Sequence, residues 1–296
     1  MKIYHECLPC HLRSALNSIM MVTSDEELIS DTLEKCLQNA SKFRSYDNLL
    51  EIYYDIQKAA KDVMPGMDPY REFKKSFNQL CMDSKGEYEK KIHDATDGFE
   101  MALRLCLAGN SVDVMQGDQM THDGLVKSIE SAIRQHLDKK NIEKLRSALK
   151  KATNILFIGD NAGEIVFDML FIDFINSNFN KNGHITYAVR GSAALNDVTM
   201  EDALMVGIQK VAKVITTGID MPAAYLPYCS RQFNEAYRSA DLVISKGQGN
   251  LEALLEEKKD IFFLLKIKCA VIAKILDGKH KIGEIVIETA AGGQAL

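Results

Sequence analysis

The hydropathy pattern changes its period once, near Ala152, and that change restricts the chain to an architecture in which helices come first and a crossover-connected sheet follows. From about Leu8 to Leu149 apolar residues recur at helical intervals, and Gly and Pro serve only as punctuation. Ser24 and Glu27 have capping-box spacing ahead of Leu28, Ile29, Leu33 and Leu37, which predicts a helix start there. Met64-Pro65-Gly66-Met67-Asp68-Pro69 predicts a break, after which Phe73, Phe77, Leu80 and Cys81 restore the helical period. Helices are also expected over 123–137 and 142–151. Beyond Ala152 short apolar runs of strand type alternate with polar turns and helical stretches, at 154–158, 184–189, 213–216, 242–245 and 261–265. A last run at 284–288 is expected to add an edge strand. This is the alternation of a parallel sheet with crossover helices, so a helical region over 1–150 and an α/β domain over 151–296 are expected.

Several functional classes are excluded by charge and by what the chain lacks. Lys and Arg total 36 against 41 Asp and Glu, a net charge of −5, and no basic cluster is dense enough to follow a nucleic-acid backbone. No stretch approaches the roughly 18 apolar residues that span a bilayer, and none resembles a signal peptide, so neither nucleic acid nor membrane is an expected partner and the cytosol is the expected compartment. Seven cysteines do not form a disulfide pattern. Cys36, Cys81, Cys106 and Cys229 are expected on apolar helical faces. The cluster His5-x-Cys7-x-x-Cys10-His11 is half a zinc site, and Cys7 with Cys10 suits a second metal, a redox pair or simple packing.

On a parallel sheet the ligand lies at the carboxyl ends of the strands. The first such end reads Gly159-Asp160-Asn161-Ala162-Gly163-Glu164. Its Asp and Asn oxygens suit a hard divalent cation, and the helix that follows offers free N–H groups to an anion. The same residues also fit a turn in which Asp160 or Asn161 only caps that helix. The second end carries Arg190 and the pair Asn196-Asp197, and Asp197 would complete an oxygen set with Asp160 and Asn161. The fourth reads Ser245-Lys246-Gly247-Gln248-Gly249-Asn250, and the fifth runs into Lys266-Ile267-Lys268-Cys269. Glycines there admit a phosphate close to the backbone and the lysines offer charge, although a lysine beside an apolar strand also acts as a solubilising flank. No Walker or Gly-x-Gly-x-x-Gly turn occurs.

Taken together, these strand-end motifs, with Gly109-Asn110-Ser111-Val112-Asp113 and the N-terminal Cys7-x-x-Cys10, resemble the prokaryotic branch of the DUF89 family of damage-control phosphatases over nearly the whole chain. The resemblance implies an N-terminal helical region on a three-layer α/β/α sandwich with a mostly parallel sheet. It implies a metal-dependent phosphatase acting on small phosphorylated metabolites. One divalent cation (Mg²⁺, Mn²⁺, Co²⁺ or Ni²⁺) is expected on Asp160, Asn161 and Asp197, which are also the expected catalytic residues. Lys246, Asn250 and Lys268 are expected at the substrate phosphate, together with Glu164, Arg190, Asn196 and Asn110. Substrate identity does not follow from the resemblance. The alternative is a non-catalytic protein that carries metal and thiols and senses redox state through Cys7 and Cys10.

Overall fold

The computed structural model describes residues 1–63, 65–110, 121–179, 181 and 183–290. Among these residues, eight α-helices precede the first strand: α1 (Cys7–Met20), α2 (Glu26–Ser41), α3 (Leu49–Lys61), α4 (Arg71–Asp83), α5 (Lys85–Asp94), α6 (Gly98–Gly109), α7 (His122–Ile133) and α8 (Lys139–Lys151). The alternating half then follows as β1 (Ile155–Ile158), α9 (Glu164–Phe179), β2 (Ile185–Val189), α10 (Met200–Val206), β3 (Lys213–Thr216), α11 (Arg231–Ser239), β4 (Leu242–Lys246), α12 (Gln248–Leu254), β5 (Ile261–Lys266), α13 (Ala270–Ile275) and β6 (Ile285–Ala290). The break between α3 and α4 falls where Pro65, Gly66 and Pro69 stand; Met64 lies outside the described residues.

Local chemistry departs from the expectations at three points. The cap of α2 is Asp25, whose carboxylate accepts from the N–H groups of Glu27 and Leu28; Ser24 stands one residue too early. The helix α7 stops at Ile133 instead of Leu137, because Gln135 turns to bond the backbone of another element. Cys36, Cys81 and Cys106 are buried on helices as expected, whereas Cys229 is buried in the irregular segment before α11.

The sheet has the order β3-β2-β1-β4-β5-β6; the first five strands are parallel and β6 closes one edge antiparallel to β5. Both faces are covered, so the central strands read as continuous apolar runs. One face, with Phe157, Tyr187 and Ile244, packs on α6 and α9; the other, with Ile158, Val243 and Phe263, is buried as well. The chain forms two compact units, Met1–Glu72 and Phe73–Leu296. The expected boundary near residue 150 is where the secondary structure changes, but the compact units divide elsewhere, because α4 to α8 contribute Phe77, Leu103, Ile129 and Leu145 to the same core as the strands. Strand order reverses between β1 and β4, and a cleft opens at such a switch point on the carboxyl side.

Candidate active site

Backbone pairing brings the ends of β1 and β2 together. The Val198 N–H donates to the Asp160 carbonyl at 2.8 Å, and the Ala162 N–H to the Asn196 carbonyl at 3.0 Å. Asn161 and Asp197 face each other as an isolated antiparallel bridge. Leu195 takes a left-handed φ of 51°, which turns the chain so that Asp197 returns toward β1. Gly247, the residue after β4, has φ 78°, and a Cβ there would lie 2.0 Å from Asp160 Oδ2. Glycine therefore supplies both the left-handed turn and the room for the carboxylate.

Arg190 is completely buried, and its Nε donates to Asp197 Oδ2 at 2.6 Å. Its Nη2 lies 3.8 Å from Asp160 Oδ1, and among the described residues neither Nη1 nor Nη2 has a hydrogen-bond partner. Asp160 Oδ2 accepts from Asn161 Nδ2 at 2.7 Å and from Asn110 Nδ2 at 2.9 Å. Burial raises the Asp160 carboxyl above its ordinary range and Glu164 pushes it the same way, with Lys268 and Arg190 opposing. Burial pushes Asp197 up to about 7, against the pull of Arg190 and with a further push from Asp160.

The structure thus gathers Asp160, Asn161, Asp197, Glu164, Arg190 and Asn110 at one place. Glu164 Oε2 accepts from Asn110 Nδ2 at 3.0 Å and from the Asn161 N–H at 3.3 Å. Asn196 joins through its carbonyl. Lys268 is exposed, yet its charge reaches both Asp160 and Asp197. Two residues expected at a phosphate are committed elsewhere. Asn250 is buried, accepts from the Ala224 N–H at 2.9 Å and donates to the carbonyls of Gly159 and Lys246, which pins β1 to β4. Lys246 has no exposed surface. Cys7 is half-buried and Cys10 exposed in the first turn of α1. Ser111, Val112 and Asp113 lie outside the described residues.

Sequence reasoning passed over two buried groups. Asp168 and Tyr187 stand beside Lys246 and Cys106; an Asp within the apolar run of α9, one turn after Glu164, is the signal that could have found them. Asn78 on α4 accepts from the Gly163 N–H at 2.6 Å and donates to Asp202 at 2.8 Å. Asp202 in turn accepts from the Thr199 N–H and hydroxyl, so one carboxamide ties the β1 turn to the loop that carries Asp197.

The donor chemistry fits a hard divalent cation. Asp160, Glu164, Asp168 and Asp197 are four buried carboxyls against two buried cations, Arg190 and Lys246, an acidic surplus that a bound cation would balance, and burial raises Asp160 and Asp197. Among the described residues no three His, Cys, Asp or Glu side chains are placed to hold a metal ion. A cation here would therefore draw on the Asn161 carboxamide besides Asp160 and Asp197.

A family model described as the damage-control phosphatase ARMT1-like domain matches residues 3–282. An uncharacterized protein of Methanocaldococcus jannaschii is 33% identical over 291 residues, which covers 92% of this chain and 91% of that protein. A damage-control phosphatase of Pyrococcus horikoshii is 30% identical over 282 residues, 93% of this chain and 94% of the relative. The crystal structure of a DUF89 family protein from Pyrococcus horikoshii matches with a TM-score of 0.82 and 29% identity, over 99% of this chain and 100% of that one.

Proposed function

The chain belongs to the damage-control phosphatase ARMT1-like domain family, and from that premise we propose that it hydrolyses phosphomonoesters of small metabolites with the help of one divalent cation. The observation that carries this reading is the Arg190 guanidinium, buried at the switch point beside Asp160 and Asp197, whose Nη1 and Nη2 have no hydrogen-bond partner among the described residues. A buried donor without a partner costs stability unless the ligand supplies one, and a planar fork of N–H groups matches phosphate oxygens.

Arg190 binds and orients the phosphate, while Lys268, at the exposed rim, adds a second charge to its oxygens. Two carboxylates beside that phosphate would repel it, which is the physical reason that a cation is needed. Asp160, Asn161 and Asp197 would hold the cation, and when bound it supplies charge to polarise the phosphoryl group. Asn110 and Glu164 keep Asp160 and Asn161 oriented.

Turnover of p-nitrophenyl phosphate and a panel of sugar phosphates, measured with Mg²⁺, Mn²⁺, Co²⁺ or Ni²⁺ and again with chelator, tests the reading. Cation-dependent release of phosphate is expected. Arg190→Lys keeps the charge but loses the fork and is expected to lower kcat/KM by about 100-fold. No turnover on any ester with any cation would leave a binding protein instead of an enzyme.

A further inference from the structure

Lys246 is hydrogen-bonded and ion-paired inside the protein. Its Nζ donates to the Cys106 carbonyl at 2.8 Å and to Asp168 Oδ1 at 2.5 Å, and pairs with Glu164 Oε1 at 2.5 Å. Two of the three ammonium donors are spent on these hydrogen bonds, and the charge is paired with two buried carboxylates, Asp168 and Glu164, which leaves little of it for a phosphate oxygen.

Asp168 is gripped from its other side. The Tyr187 hydroxyl donates to Oδ2 at 2.8 Å and the Cys106 thiol to Oδ1 at 3.2 Å. Beyond Lys246, Glu164 Oε2 accepts from Asn110 Nδ2 and from the Asn161 N–H, and Asn110 Nδ2 also donates to Asp160. An unbroken line of polar contacts therefore runs from Tyr187 through Asp168, Lys246, Glu164 and Asn110 to Asp160. Every member is buried, so no water competes for these bonds, and a change at one end is passed along the line.

We propose that Asp168 is a positioning residue of this site, acting through Lys246 on Glu164, and that Lys246 is its inner counter-ion and not a ligand of the substrate phosphate. The proposal rests on the phosphatase reading given above. Loosening the line shifts Glu164, and with it Asn110, the Asn161 backbone and Asp160. The groups that hold the phosphate, Arg190 and Lys268, are not members of the line.

The test combines steady-state kinetics on a phosphate ester with calorimetric titration of inorganic phosphate, both in Mn²⁺. The proteins compared are the wild type, Tyr187→Phe, Asp168→Asn, Asp168→Glu, Lys246→Gln and Lys268→Ala. Tyr187→Phe removes one hydrogen bond and keeps the ring, so it probes the line even if a charge change at Asp168 or Lys246 prevents folding. Asp168→Asn is expected to lower kcat roughly 10- to 100-fold, with KM and the phosphate Kd within about twofold of the wild type. Tyr187→Phe should lower kcat by a smaller factor, Asp168→Glu should recover part of the loss, and Lys246→Gln should leave the phosphate Kd in place. Lys268→Ala is expected to raise both KM and Kd.

An unchanged kcat in Tyr187→Phe and Asp168→Asn, with an active wild type, would sink the inference and leave the phosphatase reading intact. So would a phosphate Kd weakened by Lys246→Gln as much as by Lys268→Ala. A wild type that neither turns over the ester nor binds phosphate would overturn the phosphatase reading, and the inference with it.

Discussion

Asp197 sits at about 7 and Asp160 is raised with it, because burial disfavours the ionised form of both. A carboxyl whose folded value lies above its unfolded value favours folding at low pH, and that contribution is lost as pH rises through the folded value. Without a cation, the two carboxyls therefore weigh against the fold most heavily above pH 7, where Asp197 is ionised. A bound cation would replace the proton, so protons compete with it below about 7 and its apparent affinity should fall up to tenfold per pH unit there. Mn²⁺ is expected to raise Tm more at pH 8 than at pH 5; equal shifts at the two values would count against Asp160 and Asp197 as its holders. Asp160 was legible in the sequence because it follows an apolar strand run almost at once, and Asp197 because an Asn-Asp pair stands in the loop after the next run. The role of Lys246 was not: a lysine after a strand reads as a solvent-facing cation, and only the packing of α6 and α9 over it, with Glu164 and Asp168, shows it to be interior.

The strand β6 ends the sheet, and its outward backbone groups meet side chains in place of another strand. Gln135 accepts from the Ile285 N–H at 2.9 Å, and Asn141 donates to the Ile287 carbonyl at 2.7 Å. Two carboxamides thus do for the edge what a neighbouring strand would do, and they leave less of it open to another chain. Replacing both, as Gln135→Ala with Asn141→Ala, should cost about 1 kcal/mol for each bond lost. Hydrogen exchange at the Ile285 amide is expected to speed up, and light scattering is expected to show concentration-dependent association. Unchanged exchange at Ile285 would mean that the side chains do not protect the edge. The strands themselves were legible to within two residues, since apolar runs bounded by polar turns mark them closely. The antiparallel direction of β6 and the carboxamides that cover it depend on tertiary contacts between residues about 150 positions apart in the chain, as in the Gln135 to Ile285 bond, and no local pattern encodes those.

Helical periodicity looks the same whether a helix packs on other helices or on a sheet, and for that reason the change of pattern near Ala152 does not mark the limit of the folding unit. In the unit Phe73–Leu296, Phe99, Leu103, Cys106 and Leu107 from α6 and Phe167 and Phe171 from α9 belong to the same core as Phe157, Tyr187 and Ile244 from the sheet. The site divides along the same lines: Asn110 and the Cys106 carbonyl come from α6 and its end, while the groups they bond come from β1, α9 and β4. A fragment of residues 152–296 would strip α6 from the sheet face that it shares with α9 and leave Lys246 and Glu164 without those partners, and both losses are of the kind that abolish cooperative folding. A fragment of residues 73–296 keeps every one of these contacts. The longer fragment is expected to show a single cooperative thermal transition with near-ultraviolet circular dichroism, and the shorter one to aggregate or to melt without a transition. A cooperative transition from 152–296 alone would show that the sheet half closes its own core, and would move the limit of the folding unit back to the point where the sequence changes its period.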